Sequence, residues 1–153
     1  MTKFVYRMQN ILDLKLKLEE QAKIAFSMAN GMLREEEERL QKIYSEQDVY
    51  RKKLQDFRNK KLDLLEMNRL NNAIEIKKTQ AEEQKKKIQL AKKNVEIARR
   101  KLNDVMIERK TQEILKEKAF DRYKQELKEE EDKANNELTS YQYNGNGKEI
   151  ENA

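Results

Sequence analysis

Carboxylates and amines are the side chains in this sequence that are both abundant and able to do chemistry. The 153 residues carry 29 Asp and Glu and 34 Lys and Arg, with no His and no Cys. Paired carboxylates can act in general acid and base catalysis, and on helices they can hold two metal ions, although such sites normally include a Glu-x-x-His motif. The usual zinc sites, thiol nucleophiles and imidazole bases need residues that the chain lacks.

The spacing of the carboxylates indicates solvated helix faces rather than a catalytic cleft. Glu19, Glu35, Glu82 and Glu83 each lie four residues before a Lys or Arg, which is the favourable order for ion pairs on a helix surface. The three glycines are too few for a phosphate-binding loop. We therefore expect no enzyme activity, no catalytic residue, no metal site and no cofactor.

The elements that carry these charges are predicted to be long helices. The chain has no Pro, and two of its three glycines, Gly145 and Gly147, lie in the last ten residues. Pro and Gly are the residues that most disfavour a helix, by about 3 and 1 kcal/mol relative to Ala. A charged fraction of 41% with few turn residues is typical of coiled coils. No run approaches the roughly 20 apolar residues of a membrane span, and Asp13 with neighbouring lysines interrupts any signal-peptide core, so we expect a cytoplasmic protein.

Apolar residues recur at spacings of three and four along two tracks, the pattern of a left-handed coiled coil. The first track is predicted to slip by one position through Glu36; its members are Phe4, Met8, Ile11, Lys15, Leu18, Ala22, Ala25, Ala29, Met32, Leu40, Ile43, Gln47, Tyr50, Leu54, Phe57, Lys61 and Leu64. The second track is predicted to blur near Arg109; its members are Ile74, Lys77, Ala81, Gln84, Ile88, Ala91, Val95, Ala98, Leu102, Val105, Phe120, Tyr123, Leu127, Ala134, Leu138 and Tyr141.

Three asparagines, Asn68, Asn71 and Asn72, lie between the tracks and predict a turn, because Asn tolerates left-handed backbone and caps helices. We therefore predict an all-α fold in which two long helices form an antiparallel coiled-coil hairpin over residues 1–141. The helices are expected at about 3–67 and 73–140, each roughly 100 Å long, around a turn at about 68–72. A disordered tail is expected over 142–153. One continuous helix in a longer assembly is the alternative.

Charge is distributed unevenly along this predicted hairpin. Residues 77–101 hold ten Lys and Arg against three Glu. With the turn at 68–72, the half of the hairpin near the turn becomes a basic tip, which suggests an acidic partner. The lysines expected in this tip are Lys52, Lys53, Lys60, Lys61, Lys85, Lys86 and Lys87.

The N-terminal segment resembles the flagellar export protein family FliJ. The resemblance rests on the run Phe4–Lys15 (FVYRMQNILDLK), on Glu19–Lys23 (EEQAK), and on the Glu-rich run Glu35–Leu40 (EEEERL). Length, basic isoelectric point and polar tail also fit this family. The resemblance implies a two-helix coiled coil similar to the central stalk of rotary ATPases. It also implies that the protein couples the export ATPase ring to the membrane export gate and escorts export substrates.

The resemblance also implies partners and positions. The partners are the hexameric flagellar export ATPase FliI, the export gate protein FlhA, and export chaperones or substrates, with no nucleic acid and with the membrane reached only through the gate. The protein would then lie peripherally on the cytoplasmic side of the cell membrane. Positions implied for gate binding are Arg39, Ile43, Glu46, Tyr50, Ala73, Lys77 and Gln84. Positions implied for contact with the ring are Phe4, Tyr6, Arg7, Met8, Ile11, Leu12, Leu127 and Leu138.

Two other functions stay open at this point. The chain could be the equivalent stalk of a virulence-type type III secretion system. It could also be a structural or nucleic-acid-binding coiled coil, although its aromatic residues form no stacking platform.

Overall fold

Two helices form almost all of the protein. The computed structural model describes residues 3–58 and 63–151, with side chains as far as residue 145. Helix α1 spans Gln9–Arg58 and helix α2 spans Leu64–Glu151, and these described segments contain no strand. The predicted all-α fold of two long helices is confirmed. Within the described residues, neither helix has a stretch long and apolar enough to cross a membrane.

The chain divides into two compact units, each built from part of both helices. The terminal unit comprises Met1–Lys17 and Ile107–Ala153, and the hairpin unit comprises Leu18–Met106. In the hairpin unit, Glu36 contacts Gln84 and Glu46 contacts Lys77. As the residue number rises along α1, from Glu36 to Glu46, the residue number of the partner on α2 falls, from Gln84 to Lys77. The helices therefore run antiparallel, as predicted.

The buried face of α2 follows the predicted track through the hairpin unit. Every track residue from Ile74 to Val105 is buried or half-buried, and Ala81, Gln84, Ile88 and Ala91 are the most enclosed. In the terminal unit the buried face continues without a break, at the same three-and-four spacing, through Arg109, Gln112, Lys116, Ala119 and Tyr123. The predicted blur near Arg109 is therefore a change to polar residues at seam positions, with no change of spacing.

The buried face of α1 corrects the first track. Its seam keeps alternating spacings of three and four with no slip, through Leu12, Lys15, Glu19, Ala22, Phe26, Ala29, Leu33, Glu36, Leu40, Ile43, Gln47, Tyr50, Leu54 and Phe57. Met8, Ile11, Ala25 and Met32, which the sequence placed on the seam, are exposed, and Leu64, the last residue of the predicted track, is exposed at the start of α2. Because Ala25–Phe26 and Met32–Leu33 are both pairs of adjacent apolar residues, the spacing alone could not decide which member faces α2.

The predicted turn at 68–72 is also wrong, because Asn68, Asn71 and Asn72 lie inside α2. Asp63 caps this helix: its side-chain Oδ1 accepts hydrogen bonds from the backbone N–H of Leu65 at 3.1 Å and of Glu66 at 3.5 Å. The sequence Asp63-Leu64-Leu65-Glu66 matches the capping pattern of an acidic or hydroxyl residue followed three positions later by Glu. The chain therefore reverses between Arg58 and Leu64. The three asparagines lie inside α2, where the lower helix propensity of Asn destabilises the helix slightly.

The first helix begins later than predicted, at Gln9 instead of about residue 3. Residues 3–6 lie before α1 and have no regular secondary structure. Phe4 and Tyr6 pack on α2, whereas Val5 between them is 79% exposed. In a helix, side chains two residues apart point to nearly opposite sides, so the contacts of both rings with α2 favour a non-helical start.

The second helix continues to Glu151, whereas the sequence predicts a disordered tail over 142–153. Every described side chain from Lys128 to Gly145 is exposed. Ala134, Leu138 and Tyr141 were predicted on the buried track, but no described segment of the terminal unit lies opposite them. This part of α2 therefore packs against no other segment that the structure describes.

Candidate functional site

The positions implied for gate binding come together in the hairpin unit, on facing stretches of the two helices. Ile43 and Tyr50 lie half-buried on the α1 seam, and Ala73 is half-buried near the start of α2. The Lys77 ammonium donates to the Glu46 carboxylate across the hairpin. Most of this set therefore holds the two helices together.

The Glu46–Lys77 pair is the clearest electrostatic contact in this set. The hydrogen bond from Lys77 lowers the pKa of the Glu46 carboxyl below its usual value, and the charges of Lys77 and Lys42 add to the effect. The Lys77 side chain is 17% exposed and that of Glu46 is 40% exposed. Solvent screens such a pair, so its main effect is on the register of the hairpin.

Gln84 is the most enclosed of the predicted gate residues, with 6% of its surface exposed. Its amide donates to the backbone carbonyl of Glu36 at 2.9 Å and also to the Glu36 carboxylate. Arg39, one helical turn further along α1, donates to the same carboxylate at 2.9 Å and is itself exposed. Arg39 is therefore the gate candidate whose side chain is presented to solvent.

The predicted basic tip does not form as one cluster. Lys52 and Lys53 are exposed near the end of α1, and Lys60 and Lys61 lie outside the described residues. The lysines 85–87 follow Gln84, which contacts Glu36. Lys52 is 16 residues from Glu36 on α1, or about 24 Å at 1.5 Å per residue. The prediction of one basic cluster fails for the described lysines, because a reversal between Arg58 and Leu64 places Lys85, Lys86 and Lys87 beside the acidic run at 35–38.

Aromatic rings fix the N-terminal segment on α2 in the terminal unit. The Phe4 ring lies 5.1 Å from that of Phe120 and 5.4 Å from that of Tyr123, centroid to centroid. The Tyr6 hydroxyl donates to the Gln112 side chain at 3.0 Å. Such tilted aromatic contacts are favourable beyond the area they bury.

The positions implied for ring contact are therefore divided into two groups. Phe4, Tyr6 and Leu12 pack within the terminal unit, and only 4% of Leu12 is exposed. Leu127 is half-buried at the end of the α2 seam. The remaining members are exposed and available to another protein: Arg7, Met8, Ile11 and Leu138.

Comparison with known protein families assigns the chain to a family. The family model described as Flagellar FliJ protein matches residues 3–148. The chain belongs to the FliJ family. Comparison with curated proteins and with solved structures finds no match. The protein is thus a component of flagellar protein export, in a family of non-enzymatic export proteins, and the family resemblance read from the sequence is confirmed.

The part of α2 from Lys128 onward faces no other described segment, and this feature of the FliJ-family chain was not predicted from its sequence. The exposed helix from Lys128 onward carries the acidic residues 129–132, and two aromatic rings follow, Tyr141 at 78% and Tyr143 at 79% exposure. The sequence placed Leu138 and Tyr141 on the buried track. The signal that could have separated them is the position of the turn, because α1 ends at Arg58 and α2 begins at Leu64, and this pairing leaves no described residue before α1 to face them.

Proposed function

We propose that this protein is the stalk that couples the flagellar export ATPase ring to the membrane export gate. The match to the FliJ family over residues 3–148 carries the proposal. The architecture supports it, since a two-helix antiparallel hairpin resembles the central stalk of rotary ATPases. No breaker interrupts α1 apart from Gly31, which stays helical, and helices without kinks suit the transmission of force.

In this proposal the terminal unit engages the ATPase hexamer. Arg7, Met8 and Ile11 are exposed beside the packed N-terminal segment, and the unpaired part of α2 adds Leu138 and the two terminal tyrosines. Apolar and aromatic side chains of this kind are the residues that most often anchor protein interfaces. The aromatic contacts of Phe4 then serve to hold the N-terminal segment in place.

The end of the hairpin unit near the chain reversal engages the export gate in this proposal. Lys52 and Lys53 are the exposed basic candidates at this end of α1, and Arg39 is an exposed basic candidate further from the reversal on the same helix. Ile43, Tyr50, Lys77 and Gln84 maintain the helix pair. Exposed basic side chains accelerate association with an acidic surface and lose that effect at high salt. The protein would lie at the cytoplasmic face of the cell membrane through the gate, and its surface would also escort export substrates and their chaperones.

Deletion of the gene tests the proposed role in export. We expect loss of motility and of hook and filament subunit secretion, with basal bodies still assembled. Normal swimming together with normal secretion would reject the proposal.

A charge reversal tests the gate-facing part separately. Lys52→Glu with Lys53→Glu should weaken binding to the purified gate protein and leave binding to the ATPase ring unchanged. The matched control is Lys110→Glu with Lys118→Glu, which changes the net charge equally at exposed positions of the terminal unit. Equal gate affinity of both double variants would exclude a gate contact at Lys52 and Lys53.

A further inference from the structure

One face of the hairpin unit carries an apolar groove that neither the predicted gate set nor the ring set includes. The groove has a volume of about 380 Å³. Ala29 and Ala91 form its floor, and Met32 and Leu90 form its walls. The walls are 58% and 60% exposed, which is unusual for large apolar side chains that lie side by side.

The apolar surface extends along both helices beyond the groove itself. Met28 lies one turn before Met32 on the same face of α1, and Ile97 lies two turns after Leu90 on α2. They are 59% and 54% exposed. The small side chains of Ala29 and Ala91 let a third helix approach closely. The two helices alone do not enclose a core, since no described side chain is fully buried. Two ridges around an alanine floor match the groove that an amphipathic helix fills through residues spaced by three, four and seven.

The two edges of the groove carry opposite charges. Glu35 lines the α1 side and Lys87 lines the α2 side at the same end of the groove. Glu36 also lines the groove on the α1 side, and Asn94 lines it on the α2 side. A ligand at the end near Glu35 and Lys87 therefore meets acid on one side and base on the other.

The size of the surface favours a single helix over a second copy of this chain. An interface that holds a stable dimer engages about 20–30 residues on each partner. The apolar stretch on α1 runs from Met28 to Met32, little more than one helical turn. The groove is matched instead by two or three turns of a partner helix.

We propose that this groove binds one amphipathic helix of a partner protein, with a Lys/Arg edge over α1 and an Asp/Glu edge over α2. The apolar face of the partner helix seats between Met32 and Leu90. The opposite charges of Glu35 and Lys87 set the direction in which the helix lies, because the reverse direction brings like charges together. This docking surface is distinct from the ring and gate contacts and goes beyond the coupling role.

A designed peptide tests the groove with the full-length protein. The probe is a fluorescein-labelled helix of about three heptads, with Leu on one face, Lys along one edge and Glu along the other. Binding is followed by fluorescence anisotropy at nanomolar peptide. Met32→Glu and Leu90→Glu should each weaken binding by about tenfold or more. The matched control is Val49→Glu, which changes an exposed residue (51%) of the same unit outside the groove and should leave binding unchanged.

A second arm tests the charge argument. Lys87→Glu makes both edges acidic, so this variant should prefer a peptide with Lys on both edges over the mixed-edge peptide, whereas the wild type should prefer the mixed-edge peptide. All the substituted side chains are exposed, so we expect every variant to fold, and circular dichroism checks that each one does.

Three results would overturn the proposal. The first is no binding of the mixed-edge peptide to folded wild-type protein. The second is an equal loss of binding in Leu90→Glu and Val49→Glu. The third is a concentration-dependent dimer in sedimentation that Leu90→Glu abolishes and the peptide does not, which would assign the groove to a second copy of the chain.

Discussion

The position of the chain reversal predicts opposite effects of two alanine substitutions. Asp63→Ala removes the side chain that accepts hydrogen bonds from the Leu65 and Glu66 amides, one of ordinary length at 3.1 Å and one long at 3.5 Å. Loss of such a cap costs about 0.5–2 kcal/mol, and one good bond with one weak bond places this case near 1 kcal/mol. Asn71→Ala replaces an exposed residue inside α2, and the higher helix propensity of Ala should stabilise the protein by about 0.5 kcal/mol.

Urea unfolding followed by circular dichroism at the helix band measures both changes. With a slope of about 1–3 kcal/mol per M urea, the two variants should differ in midpoint by roughly 0.5–1.5 M. Asp63→Asn is the matched control, because Asn is also a good cap and should restore most of the loss. Hydrogen exchange should place the effect of Asp63→Ala at the first turn of α2. Destabilisation by Asn71→Ala together with an unchanged Asp63→Ala would return the turn to 68–72 and refute the register.

Three further predictions concern single side chains. Gly31→Ala should raise stability by about 0.5–1 kcal/mol, since an added Cβ meets no atom within 4 Å; a lower urea midpoint would contradict this. Tyr6→Phe, which removes the hydroxyl bonded to Gln112, should cost about 0.5–1.5 kcal/mol and speed proteolysis of the N-terminal segment, and an unchanged proteolysis rate would exclude an anchoring role. The lowered pKa of Glu46 stabilises the fold above the unfolded carboxyl pKa, and this stabilisation is lost as pH falls through the lowered value. The urea midpoints of wild type and Lys77→Met should therefore converge on acidification below about pH 4, whereas a constant difference down to pH 2 would refute the assignment.

The seam of α2 shows how far periodicity can predict a coiled coil. Each track residue from Ile74 to Val105 is enclosed, including Lys77 and Gln84, whose polar side chains gave no sign of burial except their spacing. Spacing is a property of one helix, so it can be read without knowing the partner. On α1 the same reasoning failed at Ala25 and Met32, because an apolar neighbour stood beside each.

The candidate sites divide in the same way. Phe4 and Leu12 were predicted as contacts for another protein, and the structure packs both within the terminal unit; their contact with another protein stays a prediction. The basic cluster was predicted from a turn at 68–72, several residues later than the reversal between Arg58 and Leu64. An error in the position of the turn changes every pairing between the helices. Lys87 and Glu35 thus line one groove, a juxtaposition that no pattern within either helix indicates.

The sequence by itself determined the elements of this protein and its family. Scarce Pro and Gly and heptad spacing specify two long helices, because helix propensity and amphipathic spacing act within a few residues along the chain. The N-terminal run Phe4–Lys15 resembles the FliJ family, and the match of the family model over residues 3–148 confirms that family. Tertiary structure decided the register, the reversal between Arg58 and Leu64, and the side chains left exposed. These depend on contacts between residues far apart in sequence, such as Glu36 with Gln84, and the free energy of those contacts outweighs the local preference of three asparagines for a turn.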